Sequence, residues 1–250
     1  VVGLADTFAK FGTVNIETTV THKGKQFPIY SFAIGNLTGD VPTYVLTAGV
    51  HGLERIGSKV LIAYMKTFLE LLEWDLSFRN SMNEVRILFY PLVNPVGMYF
   101  HSRSNGRGVD IMRNAPIEAE ETHKFAFVSG QRISPKLPWF RGYKNDPMEI
   151  ETAALVNFLV RHLKRVSVAV AVDVHSGFGT VDRVWFPYAK SRKPFRDLPE
   201  AMALKNMLDR TYPNHVYVIE PQSDKYTTHG DVWDYVYDEL KIEHADMSFV

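Results

Sequence analysis

Two of the nine histidines in this 250-residue chain stand where chemistry could be done. His51 is followed three residues later by Glu54, in Thr47-Ala-Gly-Val-His51-Gly-Leu-Glu54, at the end of an apolar, β-branched stretch and the start of an amphipathic one. That spacing places the pair on neighbouring positions of one helical face, close enough to grip one ion. An acid three residues after a histidine is a common accident, and a lone histidine is more often a hydrogen-bonded structural residue than a ligand. The second histidine changes the balance. His175, in Asp173-Val-His175-Ser176-Gly177, also follows an apolar run, 166–172, whose only polar residue is Ser167. Two strand ends that deliver His51, Glu54 and His175 to one edge of a parallel sheet bring two nitrogens and a carboxylate together, the ligand set of a catalytic zinc ion with one position open to water. Cobalt, nickel and manganese accept similar donors, so availability shares in the choice.

The elements that must position these residues are legible as an alternation. Apolar runs at 29–34, 43–50, 85–92, 166–174, 184–188 and 216–219 read as strands, and segments with helical apolar spacing at 56–72, 150–163, 198–208 and 232–240 read as helices. Such alternation predicts an α/β fold: a single domain with a mixed, mostly parallel twisted sheet and helices on both faces. Residues 114–148 form a long irregular stretch containing Pro116, Pro135, Pro138, Trp139 and Phe140. It either walls a cleft or packs its aromatics locally.

Composition narrows the class. The chain is 46% hydrophobic, enough for one large core. Its formal net charge of +0 gives no reason to expect nucleic acid or an acidic membrane surface as partner, and no apolar run is long enough to span a bilayer. The expectation is a soluble protein, cytoplasmic for preference, with its oligomeric state open; the first residue is Val1 rather than Met, so a leader can lie upstream. Cysteine is absent, which excludes thiolate ligands and leaves metal binding to histidine and carboxylate.

Four motifs in order carry a family resemblance. His51-Gly-Leu-Glu54, Asn94-Pro-Val-Gly97, the stretch from Arg103 through Val109-Asp110 to Arg113-Asn114, and His175-Ser176 occur in the sequence and approximate spacing of the zinc carboxypeptidases of the carboxypeptidase A type, over about residues 40–240. The chain is similar in particular to the short microbial branch that includes murein-peptide amidases. The resemblance implies a phosphorylase/hydrolase-like fold, one zinc ion per chain held by His51, Glu54 and His175, and hydrolysis of an amide in a peptide, a murein-type peptide or a small amide substrate. It makes Asp110 the carboxylate that orients His51, Arg103 the stabiliser of the oxyanion, Arg113 the clamp on the substrate's terminal carboxylate, and Tyr226 a mobile cover over bound substrate. Met112, before Arg113, cannot donate to a carboxylate; Arg107 or a residue of the long loop could help instead. Asp231, in Gly230-Asp231-Val-Trp233, reads as a helix N-cap.

The family's general base is a glutamate on a late strand after the helix matching 232–240. No such glutamate stands in this sequence: Glu239 and Glu243 read as solvated, and the closing Glu243-His-Ala-Asp-Met-Ser-Phe-Val250 resembles the approach to that strand. Residues 1–250 are therefore expected to form one catalytic domain without its C-terminal strand and helix. Two alternatives stay open: a deacylase of N-acyl amino acids resembling aspartoacylase and succinylglutamate desuccinylase, which use the same His-x-x-Glu and distant histidine, and a zinc-binding relative without turnover.

Overall fold

A computed structural model describes residues 1–121, 127–177, 179–244 and 246–250, without the side chains of Phe127 and Glu243. Six strands form the main sheet: β1 (Thr13–His22), β2 (Lys25–Gly35), β3 (Thr43–Ala48), β4 (Arg86–Tyr90), β5 (Val168–Val174) and β8 (Ser248–Phe249), in the order β1-β2-β4-β3-β5-β8. β3 runs parallel to β4 and β5, and β5 parallel to β8, whereas β2 is antiparallel to both β1 and β4. Strands β6 (Arg183–Phe186) and β7 (Val218–Pro221) pair in parallel as a separate small sheet.

The central strands are apolar on both faces because helices cover both. Along β4, Ile87 and Phe89 belong to one core with Leu61, Met65, Phe68 and Leu72 of α2 (Arg55–Trp74), while Leu88 and Tyr90 belong to the other with Leu155, Phe158 and Leu159 of α5 (Ile150–Leu163) and Val236, Tyr237 and Leu240 of α7 (Val232–Glu243). Successive side chains on a strand point to opposite faces, so four consecutive apolar residues feed two cores. The remaining helices are α1 (Val2–Phe8), α3 (Leu76–Ser81), α4 (Pro95–Phe100) and α6 (Leu198–Thr211). No helix among the described residues is long and apolar enough to cross a membrane.

The main sheet differs from the sequence expectation at its outermost antiparallel strand. β1 is absent from that expectation because the strand's exposed positions, among them Thr13, Asn15, Ile16 and Thr19, carry no clean apolar alternation. β1 joins β2 through the two-residue turn Lys23-Gly24, with φ of 47° and 73°, the positive pair that a tight hairpin demands. The resulting antiparallel edge makes the sheet mixed.

The approach of α2 to β5 brings the two strand ends together. A Cβ on Gly57, in the first turn of α2, would lie 2.4 Å from the backbone oxygen of Val174. Only a residue without a side chain lets the start of α2 sit against the end of β5.

Candidate metal centre

His51 leaves the end of β3 in a turn, and Glu54 is the residue just before α2, its backbone N–H donating to the His51 carbonyl at 3.0 Å. The sequence expectation of two positions on one helical face is thus corrected. The pair meets through a tight turn ahead of the helix, because the chain must reverse between a strand end and a helix packed back on the sheet. The Asn94-Pro-Val-Gly97 segment holds this turn from below. Asn94 caps α4 by accepting from the Gly97 N–H at 2.8 Å and donates to the Val50 carbonyl at 3.2 Å. Gly52 lies so close that a Cβ would sit 2.0 Å from the Gly97 carbonyl carbon.

His175 follows β5 directly, and the three residues converge. His51 Nδ1 lies 2.7 Å from Glu54 Oε1, and His175 Nδ1 lies 3.2 Å from Glu54 Oε2. One donor atom from each residue falls within 4.8 Å of the other two. The carboxylate therefore stands between two imidazole nitrogens, the arrangement that a shared cation would hold together. With two neutral nitrogens and one carboxylate the donor set suits zinc. The Ser176 N–H also donates to Glu54 Oε2 at 2.7 Å, fixing the carboxylate from the β5 side.

Each histidine rests its outer nitrogen on a second carboxylate. His51 Nε2 lies 3.1 Å from Asp110 Oδ1, and His175 Nε2 lies 2.8 Å from Asp173 Oδ2. With Nε2–H donated outward, both rings present Nδ1 to Glu54. Asp110 is fully buried and also accepts from Arg103 Nε at 3.0 Å and Arg113 Nη1 at 3.2 Å. Burial alone would push its pKa up; His51, Arg113 and Arg103 outweigh that and hold it well below the usual range. Burial likewise opposes the charge on Glu54, but hydrogen bonds from His175 and His51 keep it ionised. Burial disfavours a charged His175, yet Asp173 and Glu54 outweigh it and raise its pKa to about 10.

Arg103 and Arg113 thus meet at Asp110. Arg103 stays about a third exposed, with Nη1 3.6 Å from Glu54 Oε1. Arg113 is buried, on the 3-10 turn Ile111–Arg113. Tyr226 stands half-buried between the 3-10 turn Gln222–Asp224 and α7. Asp231 caps α7 as expected, accepting from the N–H groups of Trp233 and Asp234, each at 3.0 Å. The described parts of the long loop bond both within themselves and to distant segments: Gln131 Nε2 donates to three carbonyls of 134–138, the carbonyl of buried Phe140 accepts from the Asp110 N–H at 2.7 Å, and the Ser129 carbonyl accepts from the His229 N–H at 2.8 Å. Residues 122–126 of that loop lie outside the described residues.

Two participants are absent from the sequence-based site, Asp173 and Trp233. Asp173 had a signal, since Asp-x-His at a strand end puts both side chains on one face. Trp233, which donates from Nε1 to Asp173 Oδ2 at 3.0 Å, lies 60 residues away with none.

A family model described as zinc carboxypeptidase matches residues 15–249. The chain belongs to the zinc carboxypeptidase family. That family uses zinc, and the His51–Glu54–His175 group is positioned for it. Among solved structures, this family member is similar in fold to thrombin-activatable fibrinolysis inhibitor, at TM-score 0.72 and 16% identity over 95% of this chain and 60% of that one. It is also similar to the carboxypeptidase A of Helicoverpa armigera, at 0.70 and 19% over 94% and 58%, and to an aspartoacylase family protein of Mesorhizobium loti, at 0.50 and 15% over 96% and 60%. The chain thus spans about 60% of the length of these relatives. No curated protein sequence matches it.

Proposed function

We propose that this zinc carboxypeptidase-family protein hydrolyses an amide bond of a peptide or murein-type peptide, with His51, Glu54 and His175 as zinc ligands. The observation that carries the reading is the convergence of three donors on one point, each histidine backed by its own carboxylate. Zinc held there supplies an activated water near neutral pH and a Lewis acid for the substrate carbonyl. Asp110 keeps His51 in the tautomer with Nδ1 free. Arg103 is the residue that, in this reading, donates to the oxygen on which negative charge develops; its partial exposure and its position beside Glu54 support the role. In this reading Arg113, whose Nη1 bonds Asp110 and whose Nε is buried without a partner, binds a substrate carboxylate, and Tyr226 covers the substrate.

β8 runs beside the strand whose end carries His175. Ser248 pairs with Val168 and Phe249 with Ala169, and the Ala171 N–H donates to the Val250 carbonyl at 2.7 Å.

One second reading is a deacylase of N-acyl amino acids, which the fold likeness to an aspartoacylase family protein supports; Arg113 does not separate the two, since both substrates carry a free carboxylate. The zinc-loaded protein assayed on free and amidated peptides beside N-acyl amino acids separates the two. Arg103→Ala should lower kcat by about 10²–10³ with zinc content unchanged; an unchanged kcat would remove Arg103 from its role.

A further inference from the structure

The two histidines of the centre are held by differently built supports. Asp110, behind His51, is fixed by two guanidiniums, which neutralise it as well as orient it. Asp173, behind His175, sits on the face of β5 that packs against the α5 and α7 side of the core, where Ala169 and Ala171 precede it in alternate positions. Its side chain is only 8% exposed. A carboxylate buried there needs partners: Oδ2 receives His175 Nε2 at 2.8 Å and Trp233 Nε1 at 3.0 Å, and the Thr47 side chain on the neighbouring strand also supports the carboxylate.

We propose that Asp173 and Trp233 form a positioning pair for His175. Asp173 accepts the Nε2–H and so leaves Nδ1 facing Glu54; Trp233 holds Asp173 Oδ2 in the place from which it can do so. The indole is itself held firmly. It belongs to the first turn of α7, which Asp231 caps through the Trp233 and Asp234 N–H groups, while the Asp234 carboxylate accepts from the backbone of Ala189 and Lys190 at 2.7–3.1 Å. The start of α7 is thereby tied to the end of β5, and the Gly230-Asp231-Val-Trp233 motif acquires a purpose beyond capping. Since Trp233 is neutral, it orients Asp173 without neutralising it, and the full negative charge remains available to the Nε2–H of His175.

This inference rests on the reading of His51, Glu54 and His175 as zinc ligands. Its test is zinc affinity, measured by chelator competition on the metal-free protein, together with the visible spectrum of the Co2+-substituted form. Asp173→Asn keeps the size of the side chain and should weaken zinc about 10–100-fold. Trp233→Phe keeps the ring and removes the donor; it should weaken zinc about 2–10-fold in the wild-type background. In the Asp173→Asn background it should change affinity by less than about 2-fold, since a residue that acts through another shows no independent effect. Both single variants should shift the Co2+ bands. A fall in thermal stability with unchanged zinc affinity and an unchanged Co2+ spectrum would overturn the pair, as would fully additive effects. Should Asp173→Asn fail to fold, Trp233→Phe decides alone on the same two readouts. Wild type that takes up no zinc would overturn the ligand reading itself, whereas zinc-binding wild type with indifferent variants overturns only this inference.

Discussion

Changing Asp110 to asparagine keeps the side chain's size while deleting the negative charge that His51 Nε2, Arg103 Nε and Arg113 Nη1 all face at 3.0–3.2 Å. Asp110 has no exposed surface, so water cannot replace what is lost. Breaking a buried ion pair by removing one partner costs about 3–5 kcal/mol, because the other charge stays buried. The three donors do not share that cost equally. Arg103 is about a third exposed and recovers hydration, whereas Arg113 is buried and cannot, so the penalty falls mainly on Arg113 and sits near the lower bound, about 3 kcal/mol. For a chain of this size 1 kcal/mol shifts Tm by about 2–4 °C, which places the variant about 6–12 °C below wild type. The amide also presents an N–H2 to donors that want an acceptor, loosening His51 and weakening zinc about 10–100-fold. Thermal unfolding of both proteins stripped of metal isolates the stability effect, and chelator competition isolates the zinc effect. A metal-free Tm within about 2 °C of wild type would refute the reasoning, since it would mean that the buried guanidinium does not depend on this carboxylate.

Gly57→Ala should destabilise the fold by about 1–3 kcal/mol in urea unfolding, because the added Cβ would meet the Val174 carbonyl at 2.4 Å. Ordinary helix propensity predicts the opposite sign, a gain of about 1 kcal/mol, and observing that gain would show that α2 does not press on β5. His162 gives a pH effect remote from the metal centre. Burial, then the neighbouring Arg161 and Arg86, with Glu17 opposing, push its pKa down to about 4, against an ordinary value of 6.5. The unfolded chain therefore takes up the proton first, so the stability from a neutral His162 is complete above pH 6.5 and is lost as pH falls toward 4, at most about 3 kcal/mol. His162→Leu should flatten the dependence of Tm on pH across that window, and an unchanged slope would contradict the assignment.

How much of this was legible in the sequence depended on range. The apolar runs at 43–50 and 166–174 give the two strand ends because burial on both faces leaves no polar alternation to confuse them. β1 escaped because its Thr and Asn positions face solvent, and the separation of β6 and β7 from the main sheet escaped because alternation says nothing about which strands pair. His51 and Glu54 were found by spacing although the geometry that joins them is a turn and not a helix face. Asp110 was recoverable only through motif order, as its distance of 59 residues from His51 carries no local signal. The support of His175 by Trp233 is purely tertiary. It exists because α7 returns across the end of β5, which no window of sequence contains.

The most direct test of the centre is metal content by elemental analysis of wild type and His175→Ala after purification in the presence of zinc. The geometry predicts about one zinc per wild-type chain and its loss in the variant, with the fold retained by circular dichroism. Zinc absent from wild type, or bound equally by both proteins, would contradict it.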